Sequence, residues 1–155
     1  MINSIKAQLE DWKYGRNILK SFVLELDDTD LDKILPRENL NTIRKQCEEL
    51  IQIQTCYIDA MKSKSISFKL VSLTDLSKTG LKNKMEELDV KMEASLEYYT
   101  DTETINWFGE EWLINRHLSA LIGHEQMHIG QIIGFCYATD IKIPKYIEDT
   151  MALSN

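Results

Sequence analysis

Histidine, proline and glycine are scarce in this sequence of 155 residues, which contains three, two and six of them, respectively. So few turn-forming residues leave little room for a β-rich fold, and the abundance of Leu, Glu, Lys, Met and Ile favours helix. An excess of basic residues is also missing, because 18 Lys and Arg stand against 25 Asp and Glu, for a net charge of −7. This sign argues against nucleic acid and against an anionic membrane surface as partners.

The first twenty residues contain no continuous apolar run, because apolar and charged residues alternate there. We therefore expect neither a signal peptide nor a membrane span, and we predict a cytoplasmic protein. The three cysteines, Cys47, Cys56 and Cys136, are widely spaced within helical apolar patterns. An odd number in such positions indicates reduced, packed thiols rather than a disulfide framework or a zinc knuckle.

Apolar residues at steps of three and four predict four long helices. The pattern runs from Ile2 to Leu26, from Leu40 to Met61, from Leu81 to Tyr99, and from about Glu111 to Ala138. Between and after them we expect an extended connector at 66–73, a loop at 100–104 and a short terminal turn at 146–151. No run alternates clearly enough to predict a sheet. The sequence thus predicts one all-α domain over residues 1–155, built as a four-helix bundle.

All three histidines fall in the last predicted helix, where steps of seven and four residues place His117, His124 and His128 on one face. Two imidazoles one helical turn apart suit a divalent metal when a third ligand arrives from elsewhere. We predict His124 and His128 as metal ligands, because two histidines buried on an apolar helix otherwise need separate partners. For His117 we expect a core position or a hydrogen bond that supports the ligands.

The same histidine pair spells HEQMH, the HExxH pattern of zinc peptidases, in which Glu125 would act as general base. Glu148 lies at a spacing that such a protease could use for its third ligand. However, Glu148 follows the helix break at Pro144, and a protease of this kind holds its substrate on a sheet edge that the sequence does not predict. A zinc protease is therefore the least favoured hypothesis.

The stretch HEQMHIGQI, preceded by NWFGEEW and followed by an apolar helix ending in IKIP, resembles the last-helix signature of the DinB-like (damage-inducible) superfamily, which includes the YfiT-like thiol transferases. The resemblance extends over most of the chain in helix order and length, and HExxHxGQ is its specific part. It implies a four-helix bundle that holds a divalent metal, often nickel or zinc, with three histidines. It also implies a homodimer that transfers a low-molecular-weight thiol to an electrophile, or performs a related metal-assisted hydrolysis on small molecules.

The chain departs from this family in its second helix, which supplies the third histidine in family members, because no histidine precedes His117 here. Laying the Ile-Arg pair at 43–44 on the corresponding family pair puts Glu49 in the histidine's place, with Glu48 beside it. Glu49 is the better candidate for an inward carboxylate, since it shares a helical stripe with apolar Ile53. The resemblance therefore implies a centre of two histidines and one carboxylate.

Such a ligand set binds zinc, nickel, iron or manganese and leaves positions open for water or substrate. The metal would lower the pKa of a bound water or thiol and so provide a nucleophile. We expect Glu125 to serve as a base or to hold a ligand histidine, or to form a salt bridge if it points away. Gln131, one turn beyond His128, is expected to orient that histidine by a hydrogen bond.

Three functional hypotheses stay open. A metal-dependent enzyme predicts a concave site that converges on Glu49, His124 and His128 and keeps a metal position free. A metal-binding or metal-free structural module predicts closed-off ligands, or a Glu49 that faces solvent. A zinc protease predicts Glu148 as a ligand and a strand beside the last helix.

Two smaller expectations concern packing. The aromatic residues Tyr99, Trp107, Phe108 and Trp112 are expected in the core or at a dimer contact rather than in a pocket lining. Gly123 and Gly130 each cost about 1 kcal/mol of helix propensity relative to alanine. Close approach of a neighbouring helix is the ordinary explanation for such glycines.

Overall fold

Four long helices form most of the protein, for which a computed structural model describes residues 1–153; the last two residues of the predicted domain lie outside the described range. The elements in chain order are α1 (Asn3–Glu25), α2 (Asp28–Leu31), α3 (Ile43–Ser63), α4 (Lys78–Leu96), β1 (Thr104–Trp107), β2 (Glu110–Leu113), α5 (Ile114–Ala138) and α6 (Lys145–Thr150). The prediction of a mainly helical protein is confirmed. None of the helices in this part of the chain combines the length and apolar character needed to cross a membrane.

Capping side chains set the starts of two helices. The Thr42 hydroxyl accepts a hydrogen bond from the backbone N–H of Lys45 at 3.1 Å, so α3 begins at Ile43. The Ser77 hydroxyl accepts one from Gly80 N–H at 3.0 Å, so α4 begins at Lys78. Each cap satisfies a backbone donor that the first helical turn leaves free. The apolar patterns alone give other starts, at Leu40 before α3 begins and at Leu81 inside α4.

The four long helices form a closed ring of contacts. Helix α1 packs against α4 and α5, and α3 also packs against α4 and α5. Each helix contributes an apolar stripe to one shared core, as α4 does at every third or fourth residue: Leu81, Met85, Leu88, Met92 and Leu96. The three cysteines are free and buried in this structure, as predicted.

The sequence prediction is wrong between residues 104 and 113, where a β-hairpin replaces a loop and the start of the last helix. Strands β1 and β2 pair antiparallel, with Thr104 opposite Leu113 and Trp107 opposite Glu110. Phe108 and Gly109 form the two-residue turn, with φ values of 49° and 101°. Positive φ at both positions matches the twist of a tight hairpin. Helix α5 therefore begins at Ile114. The apolar residues of β2 continue the helical spacing of α5, which is why the sequence predicts an earlier start.

The hairpin gathers three of the four aromatic residues considered above beside α5. Trp107 and Trp112 stack with 4.4 Å between ring centroids, and Phe108 meets Trp107 edge-on at 5.3 Å. Phe108 is nevertheless 68% exposed. Tyr99 lies apart in the core, where its hydroxyl donates to the Met61 carbonyl at 2.7 Å. The expected core position is therefore found for Tyr99 and not for Phe108.

The expected explanation for the α5 glycines is wrong. A Cβ added at Gly123 or Gly130 would meet no atom within 4 Å among the described residues, and both positions are exposed. The helices that neighbour α5 therefore pack against other faces of it. Within residues 1–153, no neighbouring helix approaches α5 closely at these two glycines.

Candidate metal centre

Glu49 of α3 and His124 and His128 of α5 come together between the two helices. One ligand atom from each lies within 4.8 Å of the others. Glu49 Oε2 is 2.9 Å from His128 Nε2, and Glu49 Oε1 is 3.6 Å from His124 Nε2. Glu48 is engaged elsewhere, because its carboxylate accepts the Leu73 backbone N–H at 3.0 Å. The structure thus brings together the three residues predicted as ligands.

The spacing of these atoms fits a divalent cation. Zinc binds imidazole nitrogen and carboxylate oxygen at about 2.0–2.2 Å, so two ligand atoms can share one ion when they lie no more than about 4.2 Å apart. The two separations between Glu49 and the imidazoles, 2.9 and 3.6 Å, satisfy this limit, and the full set of three ligand atoms lies within 4.8 Å. Two imidazoles and a carboxylate also suit nickel, iron or manganese. The residues present therefore fit the metal that the sequence predicts.

Gln46 of α3 fixes the orientation of one ligand ring. Its Oε1 lies 3.1 Å from His128 Nδ1, and both side chains are buried. Because an amide oxygen only accepts, Nδ1 carries a hydrogen, and Nε2 is the ring nitrogen that faces Glu49. Metal-binding histidines are commonly held in this way by a second hydrogen bond. Sequence analysis missed Gln46, although it precedes Glu49 by three residues and so lies on nearly the same helical face.

The centre is partly open to solvent and holds a charged carboxylate. The His124 and His128 imidazoles lower the pKa of Glu49 to about 2, against burial, which raises it. The side chain of His128 is 2% exposed, whereas Glu49 and His124 are 19% and 26% exposed. Solvent or a small ligand can therefore approach from the side of Glu49 and His124.

Glu125, the middle acid of HEQMH, points to α1 instead. Its Oε2 accepts the Arg16 guanidinium at 2.8 Å and the Trp12 indole N–H at 3.0 Å. Burial raises the pKa of Glu125, and the Arg16 charge and Trp12 hydrogen bond oppose that rise. Of the roles considered for Glu125, the structure displays the salt bridge.

This ion pair belongs to a polar network that joins all four long helices. Arg16 Nε on α1 is 3.7 Å from Asp89 Oδ1 on α4. Asp89 also pairs with Lys20 at 2.5 Å and accepts the Gln54 amide of α3 at 3.3 Å. Glu125 adds α5 to the group. Arg16 is 1% exposed, so the network lies inside the protein rather than on its surface.

His117 has the core position expected for it, whereas Gln131 contacts another partner than predicted. His117 Nε2 donates to the Ile105 carbonyl at 3.0 Å and so ties the hairpin to α5. Burial lowers the pKa of this histidine. Gln131 Oε1 accepts the Arg37 guanidinium at 3.0 Å. Neither forms a hydrogen bond with a ligand residue in the described part of the chain, and the support expected from Gln131 comes from Gln46.

The zinc-protease hypothesis predicts a strand beside the last helix and Glu148 as a ligand, and only the strand is found. A strand does precede α5 directly, because β2 ends at Leu113. The carboxylate that joins the two histidines is Glu49, however, and Glu148 lies on α6 outside the group. With Glu125 held by Arg16, the arrangement differs from the one a HExxH peptidase needs.

A groove of about 870 Å³ lies on another part of the surface, between α3, the connector before α4, and α4 itself. Its lining is rich in hydroxyl and amide groups, among them Thr55, Ser67 and Asn83. The three ligand residues do not line it, so this groove is not the concave pocket expected around the metal.

Comparison with known proteins adds no relative. A search of protein-family models found no match for this chain, and a search of curated proteins found none either. The DinB-like resemblance therefore stays a prediction from the sequence.

Proposed function

We propose that this protein is a divalent-metal-dependent enzyme of DinB-like type that transfers a low-molecular-weight thiol to a small electrophile. The observation that carries the proposal is the convergence of Glu49, His124 and His128, whose ligand atoms lie within 4.8 Å of one another. Zinc or nickel is the proposed metal. The partial exposure of Glu49 and His124 supports an open coordination position, which catalytic sites keep and structural sites lack.

The arrangement of the helices supports the family assignment. The closed ring of contacts among α1, α3, α4 and α5 agrees with a four-helix bundle, the architecture that the resemblance implies. Within it, Glu49 replaces the histidine that family members carry on the second long helix. We propose a cytoplasmic homodimer that acts on small molecules, with no role for nucleic acid or membranes.

Each ligand residue has a distinct role at the site. When bound, the metal supplies a positive charge that lowers the pKa of a thiol or water beside it. Glu49 contributes the single negative charge of the ligand set, and His128 presents Nε2 because Gln46 holds its Nδ1 hydrogen. His124, the most exposed of the three, lines the approach for substrate.

The position of Glu125 favours thiol transfer over hydrolysis. Its carboxylate is buried and directed toward Arg16 and Trp12 on α1, so it is poorly placed to take a proton from water at the metal centre. A thiol needs less help, because its ordinary pKa of about 8.5 is far nearer neutrality than the pKa of water. The metal-assisted hydrolysis also implied by the resemblance would need another base.

Metal analysis of protein purified without an affinity tag tests the centre. We expect one metal per chain in the native protein, and loss of that metal in Glu49→Ala and His124→Ala. Glu48→Ala is the matched control, since it removes the adjacent carboxylate without touching the ligands. A native chain that takes up no zinc, nickel or manganese would refute the proposal.

Thiol binding separates an enzyme from a structural metal module. We expect simple thiols to change the visible spectrum of the cobalt-substituted protein, because sulfur then enters the coordination sphere. If thiols leave the spectrum of the metal-loaded protein unchanged, the protein is a structural metal module instead.

A further inference from the structure

Arg37 lies in the connection between α2 and α3, and its side chain reaches α5. One guanidinium nitrogen, Nη1, donates to Gln131 Oε1 at 3.0 Å. The guanidinium carbon lies 5.9 Å from the centre of the Phe135 ring. Arg37, Gln131 and Phe135 are all partly exposed, so a ligand in solvent can reach this group.

The contact joins Arg37 to the stripe of α5 that carries the two histidines. Gln131 follows His128 by three residues and His124 by seven, so the three side chains share one stripe of α5. Residues three apart on a helix have Cβ atoms about 5–6 Å apart. Gln131, the hydrogen-bond partner of Arg37, therefore lies about one helical turn beyond His128.

The other three arginines are already engaged by the chain. Arg16 pairs with Glu125, Arg44 pairs with Asp28 and Asp32, and Arg116 lies over the Trp112 ring at 3.6 Å. Arg37 forms no ion pair with a carboxylate within residues 1–153, and its hydrogen bond to Gln131 uses one of five N–H donors. Arg37 therefore keeps several N–H donors available for a ligand, although the protein carries a net charge of −7.

The segment that carries Arg37 is fixed in place. Leu35 is buried, and its backbone N–H donates to the Asn41 carbonyl at 2.9 Å. Lys33 adds a hydrogen bond to the Thr139 carbonyl just beyond α5. These contacts hold the guanidinium near its binding position before a ligand arrives, which lowers the entropic cost of binding.

We propose that Arg37 is a specificity-determining residue that binds the carboxylate of the small thiol whose sulfur enters the metal centre. A planar guanidinium with several free N–H groups matches a carboxylate in geometry and charge. The inference rests on the proposed function and names its substrate class: a thiol with a carboxylate a few bonds from the sulfur. Gln131, which accepts from Arg37, acts as the positioning residue for the guanidinium.

The test uses cobalt-substituted full-length protein and a series of small thiols. The probes are mercaptoacetate and its longer homologues, each titrated beside its own amide, which keeps the size and removes the charge. The sulfur-to-cobalt absorption reports occupancy of the centre directly, without any enzyme assay. The variants are Arg37→Met and Arg37→Lys, with Arg116→Met as the matched control at the other end of α5.

We expect at least one carboxylate of the series to bind the native protein about tenfold or more tightly than its amide, the scale of one charge-assisted hydrogen bond. Arg37→Met should abolish that preference, Arg37→Lys should keep part of it, and Arg116→Met should leave it unchanged. The amides should bind all four proteins equally well.

Two other results have distinct meanings. If carboxylates and amides bind the native protein equally, or if Arg37→Met leaves the preference intact, the role of Arg37 is refuted while the thiol site stands. If none of the thiols changes the spectrum of the metal-loaded native protein, the proposed function itself fails.

Discussion

Removing the Glu125 carboxylate should destabilise the protein strongly without removing a metal ligand. In Glu125→Ala, the Arg16 guanidinium loses its partner at 2.8 Å, and the Trp12 indole loses its acceptor at 3.0 Å. Breaking a buried ion pair costs about 3–5 kcal/mol, because the remaining charge stays out of water. Asp89 lies 3.7 Å from Arg16 Nε and compensates part of that charge. We therefore expect a loss of about 3–4 kcal/mol.

Urea denaturation of the metal-free protein at neutral pH measures this loss, because metal binding then contributes nothing to stability. Glu125→Gln should cost less, since it keeps a side-chain oxygen that can accept from Arg16 and Trp12. The double variant Arg16→Met, Glu125→Leu should recover most of the stability, because it removes both buried charges together. Glu86→Ala is the control and should cost less than about 1 kcal/mol, since Glu86 forms only an exposed pair with Lys82.

A different pattern would refute the structural role of Glu125. If Glu125→Ala costs less than about 1 kcal/mol, the ion pair with Arg16 does not contribute as a buried pair should. If the same variant also loses its metal, Glu125 belongs to the metal centre, as in a zinc peptidase.

Three more changes test the surroundings of the centre. Gln46→Leu should weaken zinc binding about ten- to a hundredfold in a chelator competition, because the His128 ring loses the hydrogen bond that orients it. Unchanged zinc affinity would show that the ring does not need the hydrogen bond to Gln46. Gly130→Ala should raise the free energy of unfolding by up to about 1 kcal/mol, since nothing lies within 4 Å of the new Cβ; a loss would mean that another molecule covers this face. In the metal-free protein, the stability advantage of the native chain over Glu49→Gln should be complete above pH 4.5 and should vanish toward about pH 2. The reason is that the pKa of Glu49 is lowered from 4.5 to about 2 in the folded protein. A stability difference in urea denaturation that does not change with pH would contradict this prediction.

Much of the candidate site could be predicted because its signals are local. His124 and His128 are separated by one helical turn in a long, strongly periodic segment, so their common face follows from helix geometry alone. The family resemblance pointed to Glu49 with Glu48 beside it, and the apolar stripe of α3 then favoured Glu49. The common face of the histidines and the choice between the two glutamates both depend on neighbours within a few residues of one another in the chain.

The missing parts depend on how separate helices are turned toward one another. Helix α5 is apolar on several sides, so its sequence could not show that Glu125 faces α1 while His128 faces α3. Gln46 and Gln131 are both polar residues on helices, and only the packing of α3 against α5 makes the first a partner of His128. The contact of Arg37 with Gln131 joins residues 94 positions apart.

The hairpin was missed for a different reason. Four-residue strands are too short to display clear alternation, and their aromatic residues blend into the apolar pattern of α5. The Phe108–Gly109 pair was the available signal, since a glycine in a two-residue connection between aromatic segments is typical of a tight hairpin.

The buried polar network also restricts the ways in which the helices can assemble. Apolar stripes tolerate a helix that is turned by one residue, about 100°, because leucine and isoleucine pack in many arrangements. The same turn of α5 would separate Glu125 from Arg16 and leave the Glu125 charge unpaired in the core, which makes such misassembled states unfavourable. His124 lies beside Glu125 in the chain, so the ion pair that selects the rotation of α5 also directs the histidines toward Glu49. The buried ion pair therefore helps to preorganise the ligands.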